Sequence, residues 1–235
     1  MNKKRSKEQE YKHFNKLSQE WWDPKGKFKI LHQITPLRIK YILQNLGIKK
    51  LNNLEILDIG CGGGLTCEPL ARLGARLTGI DFIENNIKIA KSHSKKNKLH
   101  INYFLHDLED IKIVKKFDII LMLEVLEHIE DWPLVIKNIK KNLKPGGKII
   151  FSTINRTKLS KIFAIYFAEN IFNWIPKNTH DYNKLITHQE LKEELTILKF
   201  NIENIMGMNF NILTRNWELN KKFYLMNYFC TAKLN

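Results

Sequence analysis

Two acidic residues and a histidine lie close together in the segment LEVLEHIED (123–131), namely Glu124, Glu127 and His128. If this segment is helical, their i, i+3, i+4 spacing places all three side chains on one face. Two carboxylates and an imidazole can bind a divalent cation, and an oxygen-rich set with one histidine suits Mg²⁺ or Mn²⁺. Alternatively, His128 acts as a general base that Glu127 or Glu124 orients. A third interpretation is a solvated helix start with acids in its first turn.

A second segment that could take part in the chemistry is the glycine-rich LDIGCGGG (57–64), which begins as an apolar run. Glycines are needed where the backbone bends sharply and approaches a ligand without an intervening Cβ. Gly60 and Gly62 fit the first two positions of the GxGxxG dinucleotide fingerprint, but Leu65 occupies the third. The spacing GxGGG preceded by Asp58 resembles instead the motif of S-adenosylmethionine-dependent methyltransferases. The sequence therefore favours an S-adenosylmethionine site over a dinucleotide site.

Three further candidate cofactor residues stand at the ends of apolar runs. Asp81 follows the glycine turn by about twenty residues, where an acid can accept hydrogen bonds from ribose hydroxyls. Asp107 could hold the adenine amino group, although its context, HDLED, is also typical of an exposed turn. Leu123 is expected to line the floor under the cofactor.

The middle of the chain has the pattern of a sheet that could position these residues. Five apolar runs alternate with helical stretches, and they are LEILDIG (54–60), ARLTGID (75–81), INYFLHD (101–107), FDIILML (117–123) and GGKIIFST (146–153). This alternation predicts a doubly wound, mostly parallel α/β sheet of the Rossmann-like class, with both faces covered. Residues 154–195 are predicted to form a mostly helical insertion. Two closing strands are predicted after it, for seven in all.

With those residues identified, the chain resembles the ubiquinone biosynthesis O-methyltransferases, class I enzymes that methylate hydroxyls of polyprenylated phenol and catechol intermediates. The resemblance runs from about residue 21 to residue 229. Its most specific segments are WWDPKGKFKILHQITPLRIKYI (21–42), LEVLEHIED (123–131), KPGGKIIFSTINR (144–156) and PKNTHD (176–181). The chain departs from the family pattern at Thr35, where an Asn is common, and at Asn178, where a Gly is common.

The resemblance implies S-adenosylmethionine as the methyl donor. It assigns cofactor contacts to four residues, Arg38, Gly60, Asp81 and Leu123. It also implies a divalent cation such as Mg²⁺ at the acidic segment, and a catechol could chelate that ion and so lower the pKa of its hydroxyl. The substrate implied is a polyprenylated quinol or phenol, with 3-demethylubiquinol and an earlier hydroxyphenol as the expected acceptors.

The amino-terminal residues differ in composition from the rest of the chain. Residues 1–20 are polar and basic, so we expect a flexible arm there. Residues 21–235 are expected to form a single domain. The start of that domain, with Trp21, Trp22 and His32, is expected to fold over the cofactor as a lid.

The net charge of +15 does not select a partner, because the lysines are spread over the whole chain. An RNA methyltransferase is the main alternative enzyme. The chain has neither an Asn/Asp-Pro-Pro-aromatic motif after the fourth strand nor a cysteine followed by proline, so no nucleic-acid substrate is expected. A non-catalytic protein with a degenerate cofactor fold is disfavoured by the intact glycine turn.

The three cysteines, Cys61, Cys67 and Cys230, indicate reduced thiols in a cytosolic protein.

The segment KLSKIFAIYFAENIFNWIPK (158–177) is rich in isoleucine and aromatic residues and has a lysine at both ends. Its length and charges argue against a membrane span, and we predict an interfacial helix that dips into anionic lipid. The alternative is a helix buried against the sheet. The expected location is therefore the bacterial cytoplasm, peripheral on the inner membrane, near other enzymes of ubiquinone biosynthesis.

Overall fold

The computed structural model describes residues 7–161, 182–211 and 213–235. The helices are α1 (Lys7–Leu17), α2 (Lys29–Leu46), α3 (Cys67–Arg72), α4 (Glu84–Lys96), α5 (Trp132–Ile139), α6 (Lys158–Ser160) and α7 (His188–Ile197). The strands are β1 (Glu55–Ile59), β2 (Arg76–Asp81), β3 (Asn102–Leu105), β4 (Phe117–Leu123), β5 (Leu143–Ile154), β6 (Phe200–Asn211), β7 (Asn216–Asn220) and β8 (Asn227–Leu234).

The strands form one sheet in the order β3-β2-β1-β4-β5-β8-β6-β7. The five strands from β3 to β5 pair in parallel, and the remaining pairings are antiparallel. The predicted doubly wound, mostly parallel fold is therefore confirmed. The chain winds outward from β1 in both directions, so the carboxyl ends of β1 and β4 flank the crevice where ligands bind in such sheets.

Apolar side chains cover both faces of the sheet. In β1, Leu57 and Ile59 pack in the same cluster as Ile136 of α5, whereas Ile56 packs with Tyr41 of α2 on the opposite side. This double coverage explains why the apolar runs are continuous along the sequence rather than alternating.

The sheet has eight strands, so the expectation of seven is corrected. The second closing segment was expected to be one strand, but it forms β7 and β8. The side-chain oxygen of Asn220 accepts hydrogen bonds from the backbone N–H groups of Lys222 and Phe223, at 2.9 and 3.1 Å. This local turn, made by an asparagine side chain, ends β7 and so separates it from β8.

Residues 7–20 are not the flexible arm expected from their polar composition. They form α1 and a 3₁₀ turn, Ser18–Glu20, and the side chains of Glu10 and Ser18 are buried. The ring of Tyr11 contacts that of Phe82, with centroids 6.2 Å apart. A short polar helix is stable here because one of its faces packs against the rest of the protein, a contact that composition does not report.

The predicted insertion over 154–195 is described only at its two ends. Strand β5 continues to Ile154, and α7 begins after Thr187, whose hydroxyl accepts a hydrogen bond from the N–H of Glu190. Residues 162–181, with most of the expected interfacial helix and the PKNTHD segment, lie outside the described residues. Within the described part of the chain, no helix is long and apolar enough to cross a membrane.

Candidate active site

The glycine turn begins where β1 ends, and its first glycine has no room for a side chain. Gly60 has φ +74°, and a Cβ there would lie 2.5 Å from Cγ2 of Val125. The N–H groups of Gly60 and Cys61 both donate to the carbonyl of Ile80, at 2.8 and 3.0 Å. These bonds fix the turn against the end of β2, so the backbone of residues 60–64 is presented to the crevice.

The segment expected to act as a lid lies directly on this turn. A Cβ at Gly63 would lie 2.5 Å from the Cβ of Trp21, and a Cβ at Gly62 would meet the indole ring. Trp21 stacks on Phe28 with ring centroids 3.9 Å apart. Trp22 donates from Nε1 to the carbonyl of Gly63 over 2.9 Å. The glycines are therefore needed for this close packing as well as for a ligand.

Asp81, at the end of β2, is held against the glycine turn. Its Oδ2 accepts from the N–H of Gly62 at 2.9 Å, and its Oδ1 accepts from the N–H of Ile83 at 2.9 Å. The amide of Asn86 adds a third donor at 3.3 Å. Burial raises the pKa of Asp81 to about 6, although the backbone donors oppose that rise.

Arg38 and Asp58 form a second polar group beside the turn. Burial raises the pKa of Asp58 to about 6, against the opposing effects of the Cys67 thiol, which donates to it over 3.2 Å, and of the Arg38 charge. Arg38 is buried, and among the described residues no hydrogen bond reaches its Nε or Nη2. A buried guanidinium with unused donors is suited to a carboxylate ligand.

Two adjoining cavities open at the carboxyl ends of β1 and β4. One, of about 150 Å³, is lined by Arg38, Asp58, Leu123 and apolar residues of α2. The other, of about 90 Å³, is lined by Asp81 and Asp107. Five residues border both cavities: Phe14, Trp21, Gly60, Glu124 and His128. A long ligand can therefore span both cavities, with its middle beside Gly60 and His128.

Asp107 and Leu123 differ in exposure. Leu123 is buried at the end of β4, facing the larger cavity, as expected of a floor residue. Asp107 is exposed on the rim of the smaller cavity, where its carboxylate accepts a hydrogen bond from the N–H of Glu109 at 3.0 Å. Its position suits an adenine contact, and its hydrogen bond is also that of a turn acid.

The acidic segment does not form the helical face predicted for it. Glu124 has φ +55° and extends the pairing of β4, because its N–H donates to the carbonyl of Ser152 at 2.9 Å. The following residues, Leu126–His128, form a single 3₁₀ turn. Glu124, Glu127 and His128 therefore do not share one side of a helix, and that expectation is corrected.

The two acids of this segment face the sheet and the arginine. Glu124 accepts from the Ser152 hydroxyl at 2.8 Å and lies 3.5 Å from Nη2 of Arg38. Glu127 is buried and accepts from the Thr153 hydroxyl at 2.9 Å. Burial and the neighbouring carboxylate of Glu124 raise the pKa of Glu127 well above its usual range. This direction favours a protonated Glu127.

His128 turns toward the amino-terminal helix instead of toward these acids. Its Nδ1 lies 3.4 Å from Oε2 of Glu10, and its ring meets the edge of Phe14 with centroids 5.0 Å apart. Within the described ranges, no group of three or more His, Cys, Asp or Glu side chains could hold a metal ion. The residues present therefore do not fit the Mg²⁺ site expected at Glu124, Glu127 and His128.

The chain is similar in sequence to known methyltransferases. The sequence profile of a methyltransferase domain family matches residues 31–204. A ubiquinone biosynthesis O-methyltransferase of Pelagibacter ubique is 44% identical, and the alignment covers 89% of this chain and 91% of that protein. Proteins of the same name from Bartonella tribocorum and Rickettsia typhi are 42% and 41% identical, covering 95% and 94% of this chain and 94% and 90% of those proteins.

This chain belongs to the ubiquinone biosynthesis O-methyltransferase family. Solved structures support the fold alone. A magnesium protoporphyrin IX methyltransferase of Synechocystis with bound S-adenosylmethionine aligns with a TM-score of 0.68 at 18% identity over all of both chains. A possible histamine N-methyltransferase of Thermotoga maritima aligns with a TM-score of 0.70 at 16% identity, covering 96% of this chain and all of that one.

Family membership confirms the predicted class, an S-adenosylmethionine-dependent O-methyltransferase. The residues of the crevice fit the donor molecule. Arg38 has buried donors for its carboxylate, and Asp81 faces the smaller cavity as an acceptor for its ribose hydroxyls. The predicted cofactor contacts themselves stay predictions, and they are those of Arg38, Asp58, Gly60, Gly62, Asp81, Asp107 and Leu123. All three cysteines of the methyltransferase are buried free thiols.

Three residues of the methyltransferase site are not predicted from the sequence: Glu10, Phe14 and Asn86. Glu10 and Phe14 lie four residues apart on the face of α1 that covers the cavities, and Leu17 follows at the next turn. The spacing of residues 10, 14 and 17 is typical of a helix with one face packed against the protein, and it could have indicated that α1 covers the site. Asn86 accepts hydrogen bonds from Ser18 at 2.7 Å and Trp21 at 2.8 Å. Its role had no signal in the sequence.

Proposed function

We propose that this methyltransferase transfers the methyl group of S-adenosylmethionine to a phenolic hydroxyl of a polyprenylated quinol or phenol in ubiquinone biosynthesis. The observation that carries the proposal is the meeting of two cavities at Gly60, Glu124 and His128. The donor is proposed to span both cavities, with Arg38 in the larger one and Asp81 in the smaller one. The larger cavity also continues along the apolar side chains of Ile30 and Ile34, which suit a hydrophobic acceptor.

Each end of the donor has a matching group in the crevice. Arg38 is proposed to bind its carboxylate, and Asp81 its ribose hydroxyls, while Asp107 lies where the adenine is expected. When bound, the donor supplies a methyl group already activated by a sulfonium. The protein must therefore orient the acceptor, keep water out and remove one proton. Phe14 and Trp21, which border both cavities, provide the cover that excludes water.

Removal of the acceptor proton is assigned to His128. A phenol has a pKa near ~10, so it needs a base to lose its proton at neutral pH. His128 borders both cavities, and histidine is the side chain best suited to proton transfer near pH 7. Glu124 is less suited to the task, because its carboxylate already engages Arg38 and Ser152.

The proposal is tested with purified protein, S-adenosylmethionine labelled in its methyl group, and two acceptors in parallel. One acceptor is a short-chain demethylated quinol, and the other is total RNA. Label is expected in the quinol. Label found only in RNA would overturn the substrate assignment and support the alternative enzyme class.

The same assay distinguishes proton removal by a general base from catalysis that depends on a divalent metal ion. Enzyme dialysed against EDTA is expected to keep its activity on the quinol, because the described acids and His128 do not form a metal site. A loss of activity on dialysis that added Mg²⁺ restores would contradict the assignment of His128 as the base. Zn²⁺ and Ca²⁺ added in separate reactions control for nonspecific effects of divalent ions.

A polyprenyl tail places the acceptor in a bilayer, so we propose that the enzyme binds anionic membrane surfaces through residues 158–177. The proposal is supported by the sequence of that segment and by the exposed side chain of Leu225, whose carbonyl accepts a hydrogen bond from Thr157 next to the segment. The double substitution Phe163→Ser and Phe167→Ser is expected to reduce co-sedimentation with anionic liposomes. Unchanged co-sedimentation would refute the proposal, and Val114→Ser, at an exposed site elsewhere, is the matched control.

A further inference from the structure

We propose that Glu10, on the amino-terminal helix α1, is a positioning residue for His128 in the methyl-transfer reaction. Its Oε2 lies 3.4 Å from Nδ1 of His128, and the two side chains are only 5% and 14% exposed. The inference rests on the proposed function, in which His128 is the base. It assigns to α1 a part in the chemistry as well as in covering the site.

The charge around Glu10 suits this task. Its second oxygen, Oε1, lies 3.4 Å from Nζ of Lys184, whose side chain is 11% exposed. A neighbouring ammonium favours the ionised carboxylate, which is the form that accepts a hydrogen bond from the imidazole. Glu10 therefore lies between a cation and the histidine, in the place that a third group takes when it orients a catalytic base.

A carboxylate at Nδ1 selects one form of the imidazole. The 3.4 Å separation is an ion-pair distance and not an aligned hydrogen bond in this structure. If Nδ1–H closes that separation and donates to Glu10, the lone pair resides on Nε2, which is then the nitrogen able to take the acceptor's proton. The carboxylate also stabilises the imidazolium that forms when the proton arrives. The edge of Phe14, also on α1, restricts the rotation of the same ring. Helix α1 thus supplies two contacts that orient His128.

Helix α1 is itself anchored to the cofactor side of the site. Asn15 accepts a hydrogen bond from the side-chain amide of Asn85 at 2.9 Å. Ser18 donates to Asn86 at 2.7 Å, and Asn86 in turn donates to Asp81 at 3.3 Å. Docking of α1, and hence the placement of Glu10, is therefore linked through Asn86 to the residue expected to bind the donor's ribose.

The test compares Glu10→Ala, Glu10→Gln and Glu10→Asp with Glu8→Ala, a control on the same helix. Glu8 is exposed and pairs along the helix surface with Lys12. For Glu10→Ala, kcat for the quinol is expected to fall about 10- to 100-fold, by analogy with other groups that orient a base. KM for the quinol and Kd for S-adenosylhomocysteine are expected to change less than about twofold, because Glu10 borders the bound molecules without holding the donor. Glu10→Asp is expected to recover part of kcat, and Glu8→Ala to match the wild type.

A double-substitution cycle separates positioning from a structural role. Glu10→Ala is expected to cause no further loss of kcat when His128 is already alanine, since both changes remove the same function. Additive losses, an unchanged kcat in Glu10→Ala, or equal losses in kcat and donor affinity would each overturn the inference. Failure of the wild type to methylate the quinol would instead refute the proposed function, so the two failures are distinguishable.

Discussion

The carboxylate of Asp81 accepts a hydrogen bond from the backbone N–H of Gly62 over 2.9 Å. The acid at the end of β2 therefore fixes the glycine turn at the end of β1, across a gap of nineteen residues. One side chain thus serves two purposes, because it shapes the turn and it faces the smaller cavity. A substitution here should affect both folding and donor binding.

Donor affinity should depend on pH through Asp81. Burial raises the pKa of Asp81 to about 6, so the folded state holds its proton more tightly than the unfolded state does. The free energy of unfolding should consequently fall as the pH rises from about 4 to about 6. Hydrogen bonds to ribose hydroxyls use the ionised carboxylate, so the affinity for S-adenosylhomocysteine should rise over the same window.

By calorimetric titration, Kd for S-adenosylhomocysteine should be about tenfold weaker at pH 5 than at pH 8, since one pH unit below the pKa removes about nine-tenths of the ionised form. Asp81→Asn should bind weakly at both pH values. Asp58→Asn is the control, because it removes the other acid whose pKa is about 6. A full pH dependence that persists in Asp81→Asn would assign the titration to another group.

Gly60 and Gly146 form a matched pair for testing the glycine turn. Their φ angles are +74° and +71°, but a Cβ at Gly60 would meet Val125 at 2.5 Å, whereas at Gly146 the nearest atom lies 3.7 Å away. Gly146→Ala should cost about 1 kcal/mol in the free energy of unfolding, from backbone strain alone. Gly60→Ala should cost about 2–4 kcal/mol, because overpacking adds to that strain. Urea unfolding measures both losses. Equal losses would show that the Val125 side chain moves aside at no cost in the free energy of unfolding.

Trp21 should contribute to donor binding through its indole N–H as well as its ring. The N–H donates to Asn86 at 2.8 Å, and Trp21→Phe removes this bond while keeping an aromatic ring beside Phe28. A loss of about 1 kcal/mol in S-adenosylhomocysteine affinity is expected, roughly fivefold in Kd. Trp217→Phe is the control, since its N–H reaches exposed Gln33 at 3.4 Å. Equal affinity in the two variants would exclude a role for the Asn86 bond.

His128→Asn should lower kcat for the quinol by about 10²- to 10⁴-fold, the usual contribution of a general base. The affinity for S-adenosylhomocysteine should stay within about twofold of the wild type, because the donor is proposed to be held mainly by Arg38 and Asp81. His100→Asn, at an exposed site away from both cavities, controls for the loss of a histidine. Wild-type kcat in His128→Asn would remove this residue from the mechanism.

The parallel half of the sheet could be predicted from sequence because its signals are local. The apolar run FDIILML coincides with β4, Phe117–Leu123, and the run before Gly60 contains β1. Each strand is buried on both faces, so its sequence is a continuous apolar run that can be recognised without knowing its partners. The glycine turn was predictable for a related reason, since left-handed φ at Gly60 is a local backbone property.

The site at Glu124–His128 could not be predicted to the same extent. The spacing of its acids is typical of a helix, but a non-local bond from the Glu124 N–H to Ser152 keeps that residue in the sheet. The partner of His128 is likewise remote, since Glu10 precedes it by more than a hundred residues. Such pairings depend on tertiary contacts, which a spacing rule within one segment does not contain.

The position of Trp21 against Gly63 also bears on how the reaction can cycle. With the indole on the turn and Phe14 of α1 bordering both cavities, the amino-terminal residues cover part of their shared mouth. Movement of these residues would therefore couple to exchange of the spent donor, a step that limits turnover in many enzymes with covered sites.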